Sequence, residues 1–518
     1  MIRNEYGIFN GVAITVKSSH AGVSLAAVPG VKNVWPVQLF FHPIHPARSN
    51  GNLTHSANMN AHHMTDVGAH PAFAAPGVSE GCFARYGKNC RVKHGWDFVG
   101  DNYHTEGTLV PDRDPMDRMG YGTHPLFPWV GVAPEVTFGT YRIFACEGRT
   151  GTDSILAAME LAFNDGMDII NLSFHGSPAY NSNPMTVLDE KLIAHGMGIV
   201  ACAGNDGGDE VWMVADVALG DSATSVASFD NAFYILMSSY GVDGDLRSKP
   251  DIGAPGGKIY STSPRAKGSY TLQSGTFMST PYYQGAGLTN VWNASTTSAH
   301  DAPDHIDLLD SVNLHKTQKV AIKNISKKTE TFTLSHVPAD ALNSYSKGNT
   351  FPHPIPIVEV DYATVVLSAN KFPLYSGFVV ATPSTEGSPS VHVPYIGFKG
   401  DAHQVPIIDT DLGFPILTVT QANGTMIDVP HKDFNFNFKT AAPTAIVHHG
   451  SHTLTAPSVS TALPPNSSLD TFTPPGGMRR TVRRVVTKIR TRTGFLMLVI
   501  MTGVYRSLRL PNRLLLFS

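Results

Sequence analysis

The chain is poor in charge, in cysteine and in long apolar runs. Only 15% of its 518 residues are Asp, Glu, Lys or Arg, against 42% apolar, ordinary for a folded, soluble chain of two or three domains. The apolar stretch Phe495-Leu496-Met497-Leu498-Val499-Ile500-Met501 is far short of the ~20 residues that cross a bilayer. No apolar h-region follows Met1-Ile2-Arg3-Asn4-Glu5-Tyr6-Gly7, so no secretory signal is expected there. From Thr471 onward there is no Asp or Glu, while 479–513 holds ten Lys and Arg residues. Without those ten the formal charge of −3 becomes −13, an acidic body with no basic field for nucleic acid.

Four cysteines, Cys82, Cys90, Cys146 and Cys202, have no metal-ligand spacing. Cys82 and Cys90 leave two readings open, a bridge formed in an oxidising compartment or free buried thiols; Cys146 and Cys202, in apolar strand contexts, are expected in the core. His62, His63 and His70 have no carboxylate or cysteine partner at ligand spacing and read as exposed loop histidines rather than a metal site. The turn at 111–117 reads as solvated rather than calcium-binding. The glycine-rich 253–257 has no Lys-Ser/Thr ending and implies no phosphate loop. No metal or cofactor is therefore expected.

Six Asn-X-Ser/Thr sequons, at Asn52, Asn171, Asn293, Asn324, Asn423 and Asn466, suit a secreted glycoprotein, although Asn171 falls in a strand expected to be buried. Residues 154–163 repeat apolar side chains at helical spacing after a Thr152/Asp153 cap, and Gly166 stops the helix before the apolar Ile169-Ile170. This βαβ pattern predicts a mostly parallel sheet with helices on both faces. From about residue 312 the period changes to two: Lys319-Val320-Ala321-Ile322-Lys323-Asn324, Thr329-Glu330-Thr331-Phe332-Thr333-Leu334, 374–381 and 391–398 predict half-exposed antiparallel strands. After 450, Ser, Thr and Pro accumulate without period, as in a disordered linker.

Four segments carry the chemistry. Val132-Ala133-Pro134 precedes Asp168-Ile169-Ile170-Asn171-Leu172-Ser173-Phe174, then Ala203-Gly204-Asn205-Asp206-Gly207, then Lys249-Pro250-Asp251-Ile252-Gly253-Ala254-Pro255-Gly256-Gly257. With Ser274-Gly275-Thr276-Phe277-Met278-Ser279-Thr280-Pro281, they resemble, in order, the motifs of the subtilisin-like serine proteases, whose nucleophile motif reads Gly-Thr-Ser-Met-Ala-Thr-Pro. The resemblance implies an α/β, three-layer subtilisin-like domain at 38–300 and extracellular location. It also implies an all-β fibronectin-type-III-like sandwich at 301–450, as in large secreted fungal members, with 451–518 a disordered linker and basic tail. Residues 1–37 resemble the last half of an inhibitory propeptide, its front half and secretion signal missing.

What the resemblance implies about catalysis is negative. Such enzymes need a serine nucleophile, an imidazole base and a buried carboxylate; the three positions fall on Phe277, Tyr121 of Tyr121-Gly122-Thr123-His124, and His63, counted back from Ala69-His70-Pro71-Ala72-Phe73. Residues 57–65 hold no apolar strand, so the strand bearing the aspartate is read as deleted. Asn205, matching the asparagine that donates to the oxyanion, is retained, and Ser173 and Phe174 match the segment lining the substrate cleft. Triad loss leaves at most about 10³- to 10⁴-fold over water from the remaining donors. The expected partner is a polypeptide and the expected state a monomer. Alternatives are a non-catalytic peptide-binding or decoy protein, a faulty gene reading of an active secreted protease, and a substitute set from Asp66, His124 and Ser274 or Ser279.

Overall fold

The computed structural model describes residues 2–16, 25–41, 91–101, 108–115, 136–145, 149–174, 183–206, 213–229, 238–256, 285–314, 317–339 and 372–402, with Tyr103, Gly176 and isolated strands elsewhere. Two helices organise the α/β core. In α1, Thr152–Asn164, Ile155, Leu156, Met159 and Ala162 are buried along one stripe. The expected Thr152/Asp153 cap is corrected: both residues lie inside the first turn, and the preceding Gly151 makes no side-chain cap. Gly166, at φ +77, ends the helix in the left-handed conformation that glycine adopts without steric cost. In α2, Pro184–Ala194, the Asn183 carboxamide oxygen accepts from the Met185 and Thr186 amides, and Pro184 occupies the first turn where no N–H is missed. Met185, Leu188 and Leu192 point into the core.

Strands β1 (Ile2–Tyr6), β2 (Gly11–Thr15) and β3 (Asn33–Phe41) form an N-terminal unit, with a C-terminal strand, Arg509–Phe517, paired between β2 and β3. The unit is seated on both helices. The Glu160 carboxylate of α1 accepts from the Gly7 and Phe9 amides at 2.9 and 2.6 Å, and Lys191 of α2 donates to the Ile8 and Phe9 carbonyls at 2.9 Å. Phe9 is fully buried, and Arg3 pairs with Asp153 at 2.8 Å.

Strands β4 (Val92–Asp97) and β5 (Phe138–Arg142) pair in parallel, and the short β6 (Arg149–Gly151) pairs with β3. The parallel sheet predicted from the βαβ pattern is made by β7 (Ile169–Leu172), β8 (Gly198–Cys202), β9 (Thr224–Phe229) and β10 (Ile252–Pro255), in the order β10-β9-β8-β7. Among the described residues β7 is its edge, so the expected burial of Asn171 is corrected: Asn171 is exposed and Ile169 is 66% exposed. Although β5 leads through α1 into β7, the two are not hydrogen-bonded. Cys202 is buried as expected; Cys82, Cys90 and Cys146 lie outside the described residues.

Beyond the core, the ribbon β11 (Ile259–Thr262) and β12 (Tyr270–Gln273) and the short α3 (Val291–Thr296) precede β13 (Ala299–Ala302). The period-two segments form strands: β14 (Ile306–Asp310), β15 (Ala321–Asn324), β16 (Phe332–Pro338), β17 (Leu342–Asn343), β18 (Pro373–Pro383) and β19 (Val391–Phe398). Among the described residues they make one five-stranded sheet, in which β14 runs parallel to β19, and a β13–β15 ribbon, rather than two full facing sheets. This sheet meets the core where Val242 and Leu246 pack with Phe372, Leu374, Ile396, Phe398 and Ala402. The Ser248 amide also donates to Asp307 at 2.6 Å.

Candidate functional site

The carboxyl ends of β7 and β8 carry Ser173 and Asn205, on neighbouring parallel strands at one rim of the sheet, the end where open α/β sheets place ligands. Ser173 and Asn205 are partly exposed, whereas Phe174 is buried, its ring edge-on to Phe40 at 5.9 Å and Phe144 at 5.8 Å. Phe174 is thus a support under the rim. The Asn171 carboxamide donates to the Ser173 hydroxyl at 2.7 Å, and the buried Cys202 thiol lies 3.4 Å from the Phe174 carbonyl. Gly176 lies so close to Phe40 and Asp216 that a Cβ there would fall 2.6 Å from the Phe40 ring, and its amide donates to Asp216 at 2.9 Å.

The segment from Ala203 to Asp206 is held from several directions. The Ala203 amide donates to the Val226 carbonyl at 2.9 Å, and the Ala203 carbonyl accepts from Ala215 at 2.8 Å. Gly204 has φ +106, a conformation in which any side chain would be strained. The Gly204 carbonyl accepts from the Ser239 amide at 2.8 Å and the Asp206 amide donates to the Ser239 hydroxyl at 3.0 Å. Chain motifs do not single out Ser239 or Asp216; only their position beneath the rim does. His63, Tyr121 and Phe277, with Asp66, His124, Ser274 and Ser279, lie outside the described residues, as do His62 and His70. The described part of the 111–117 turn is exposed at 111–113, and the Asp114 amide donates to Asp112.

One cluster among the described residues has cation-like donors: Asp251, Asp304 and His305, with donor atoms within 4.8 Å of one another. Its electrostatics oppose a metal ion. Lys249 sits 2.8 Å from the Asp251 carboxylate, and the carboxylates of Asp304 (3.1 Å) and Asp307 (3.5 Å) hold the His305 imidazole up to about 10. A protonated imidazole has no lone pair to give. The cluster is an ion-pair junction between the core and the five-stranded sheet.

The subtilase family model matches residues 117–301. Subtilisin DY from Bacillus licheniformis is 29% identical over 221 residues, 40% of this chain and 73% of that protein. Pyrolysin from Pyrococcus furiosus is 26% identical over 263 residues, 41% of this chain. The structure of the prenylagaramide maturation protease PagA is 25% identical, with a TM-score of 0.26 over 31% of this chain and 56% of that one. The alignments span from 19% to 73% of those two curated relatives.

Proposed function

Residues 117–301 are a subtilase-family domain, and on that premise we propose that this chain binds extended polypeptide at the β7–β8 rim without hydrolysing it. The observation that carries the reading is the placement of Asn205, on its braced loop after β8, at the same sheet rim as Ser173 after the adjacent β7. An extended ligand laid beside Ser173 would gain main-chain hydrogen bonds, and the Asn205 carboxamide would donate to a ligand oxygen. With Phe277, Tyr121 and His63 at the triad positions there is no attacking oxygen, no base and no orienting carboxylate. In this reading 1–37 is a propeptide-like unit, 301–450 a fibronectin-type-III-like spacer of the fungal kind, and the protein an extracellular monomer. No helix among the described residues is long and apolar enough to cross a membrane.

The test is a pair of assays on the full chain: release of fluorophore from quenched casein, and binding of an N-acetylated peptide by calorimetry. The reading expects no turnover above buffer, and binding that Asn205→Ala weakens. Casein turnover abolished by a serine-directed phosphonate would sink it.

A second reading, a faulty gene reading of an active protease, draws support from the open edge of β7. An apolar parallel strand whose Ile169 is 66% exposed, reached by a crossover from β5, which pairs with β4 and not with β7, fits the loss of a strand between them, because parallel sheets are normally buried on both faces. Sequencing the transcript across the codons for His63, Tyr121, Phe233 and Phe277 decides between them: recovered segments and a serine codon favour the active enzyme, and a matching message removes that reading.

A further inference from the structure

Ser239 is fully buried, lies 33 residues from Asp206 in the chain, and touches the Asn205 loop through both its backbone and its side chain. Its amide donates to the Gly204 carbonyl at 2.8 Å, on one side of Asn205, and its hydroxyl accepts from the Asp206 amide at 3.0 Å, on the other. The contact is close: a Cβ on Gly204 would fall 2.6 Å from the Ser239 oxygen. The two peptide groups flanking Asn205 therefore share one anchor. We infer that Ser239 is a positioning residue that fixes the direction in which the Asn205 carboxamide presents its N–H to a bound ligand oxygen.

The inference rests on the reading of Asn205 as that donor. A donor aimed at a charged oxygen is stronger than one aimed at a neutral oxygen but acts only if held in place beforehand. A loop braced on one side alone would let the carboxamide swing between ligand and water. Ser238 supplies an internal comparison. It is equally enclosed, but its hydroxyl accepts from the Ser228 amide at 3.1 Å and donates to the Ser239 carbonyl at 3.1 Å, so that hydroxyl ties β9 to the backbone of Ser239.

The experiment compares two probes, acetyl-Ala-Ala-Ala-Phe as the free C-terminal carboxylate and as the amide, by calorimetry on the full chain. In the parent the carboxylate is expected to bind about tenfold more tightly, the gain of one charge-assisted hydrogen bond. Asn205→Ala should bring the ratio near one, Ser239→Ala should cut it to about twofold, and Ser238→Ala should leave it at about ten. If Asn205→Ala abolishes the preference and Ser239→Ala retains it, the positioning role is overturned while the reading of Asn205 stands. If Asn205→Ala retains the preference, the donor reading itself fails and takes the inference with it. Hydrogen exchange of the parent's Asp206 amide covers the case in which Ser239→Ala does not fold: protection upholds the anchor, and exchange at the free-peptide rate overturns it.

Discussion

Replacing His305 with glutamine should remove a pH-dependent part of the bond between the core and the five-stranded sheet. The imidazole lies among Asp304, Asp307 and Asp251, with Lys249 beyond Asp251, and its side chain is 20% exposed. The nearby carboxylates, Asp304 first and then Asp307, raise it to about 10 against burial that would lower it. A folded value above the unfolded value of about 6.5 means that the folded chain holds a proton the unfolded chain gives up. The contribution is full below about pH 6.5 and disappears as pH rises through about 10. Linkage gives about 4 kcal/mol at pH 7, about 1.4 at pH 9 and under about 0.5 at pH 10. Asp304 is 77% exposed, so solvent screening reduces the pH 7 figure to about 2–4 kcal/mol. Urea unfolding of the parent and His305→Gln, monitored at several pH values from 6 to 10.5, should show a gap that closes toward alkaline pH. Taking the difference cancels the other titrating groups. Parallel curves, with the same gap at pH 6.5 and 10, would refute the ion-pair account.

Other substitutions probe the core and the rim. Asp189 on α2 is fully enclosed, neither of its carboxylate oxygens has a hydrogen-bond partner, and burial, followed by repulsion from Glu190, pushes it well above the usual carboxylate range. A raised acid costs stability as pH rises above about 4, by about 1.4 kcal/mol per pH unit until the folded carboxyl itself ionises; Asp189→Asn should remove that slope in denaturation series from pH 4 to 7 and be the more stable protein at neutral pH. Glu160→Ala leaves the buried Phe9 amide and the partly buried Gly7 amide without their acceptor, and a loss of about 1–3 kcal/mol, mostly from the one buried donor, should appear as faster proteolytic cutting within 2–16. Gly204→Ala meets both φ +106 and the Ser239 oxygen; a cost of about 1–3 kcal/mol in thermal unfolding should accompany loss of peptide binding.

The α1 helix and the strand that follows it were legible because their signals are local: Ile155, Leu156, Met159 and Ala162 repeat at helical spacing, and Gly166 breaks the repeat. The error at Asn171 has a physical cause. An apolar tetrapeptide reads as a buried parallel strand whether or not a neighbour exists on its far side, and only strand order shows that β7 is an edge. The N-terminal contact of Glu160 with Gly7 and Phe9 was invisible for a similar reason, since about 150 residues separate the partners and no period records such a meeting.

Composition and motif order by themselves raised the expectation of the α/β domain matched at 117–301, named Asn205 and Ser173 as candidates for one site, and put Phe277 where the resemblance implies serine. Those are properties of residue identity and of local repeat, which survive in a one-dimensional string. Tertiary structure alone decided that Asn205 and Ser173 share a rim, that Ser239 braces the loop carrying Asn205, and that Asp251, Asp304 and His305 form an ion-pair junction rather than a metal site. Each depends on distance and burial between residues far apart in the chain, and Coulombic and hydrogen-bond energies depend on those quantities and not on sequence separation.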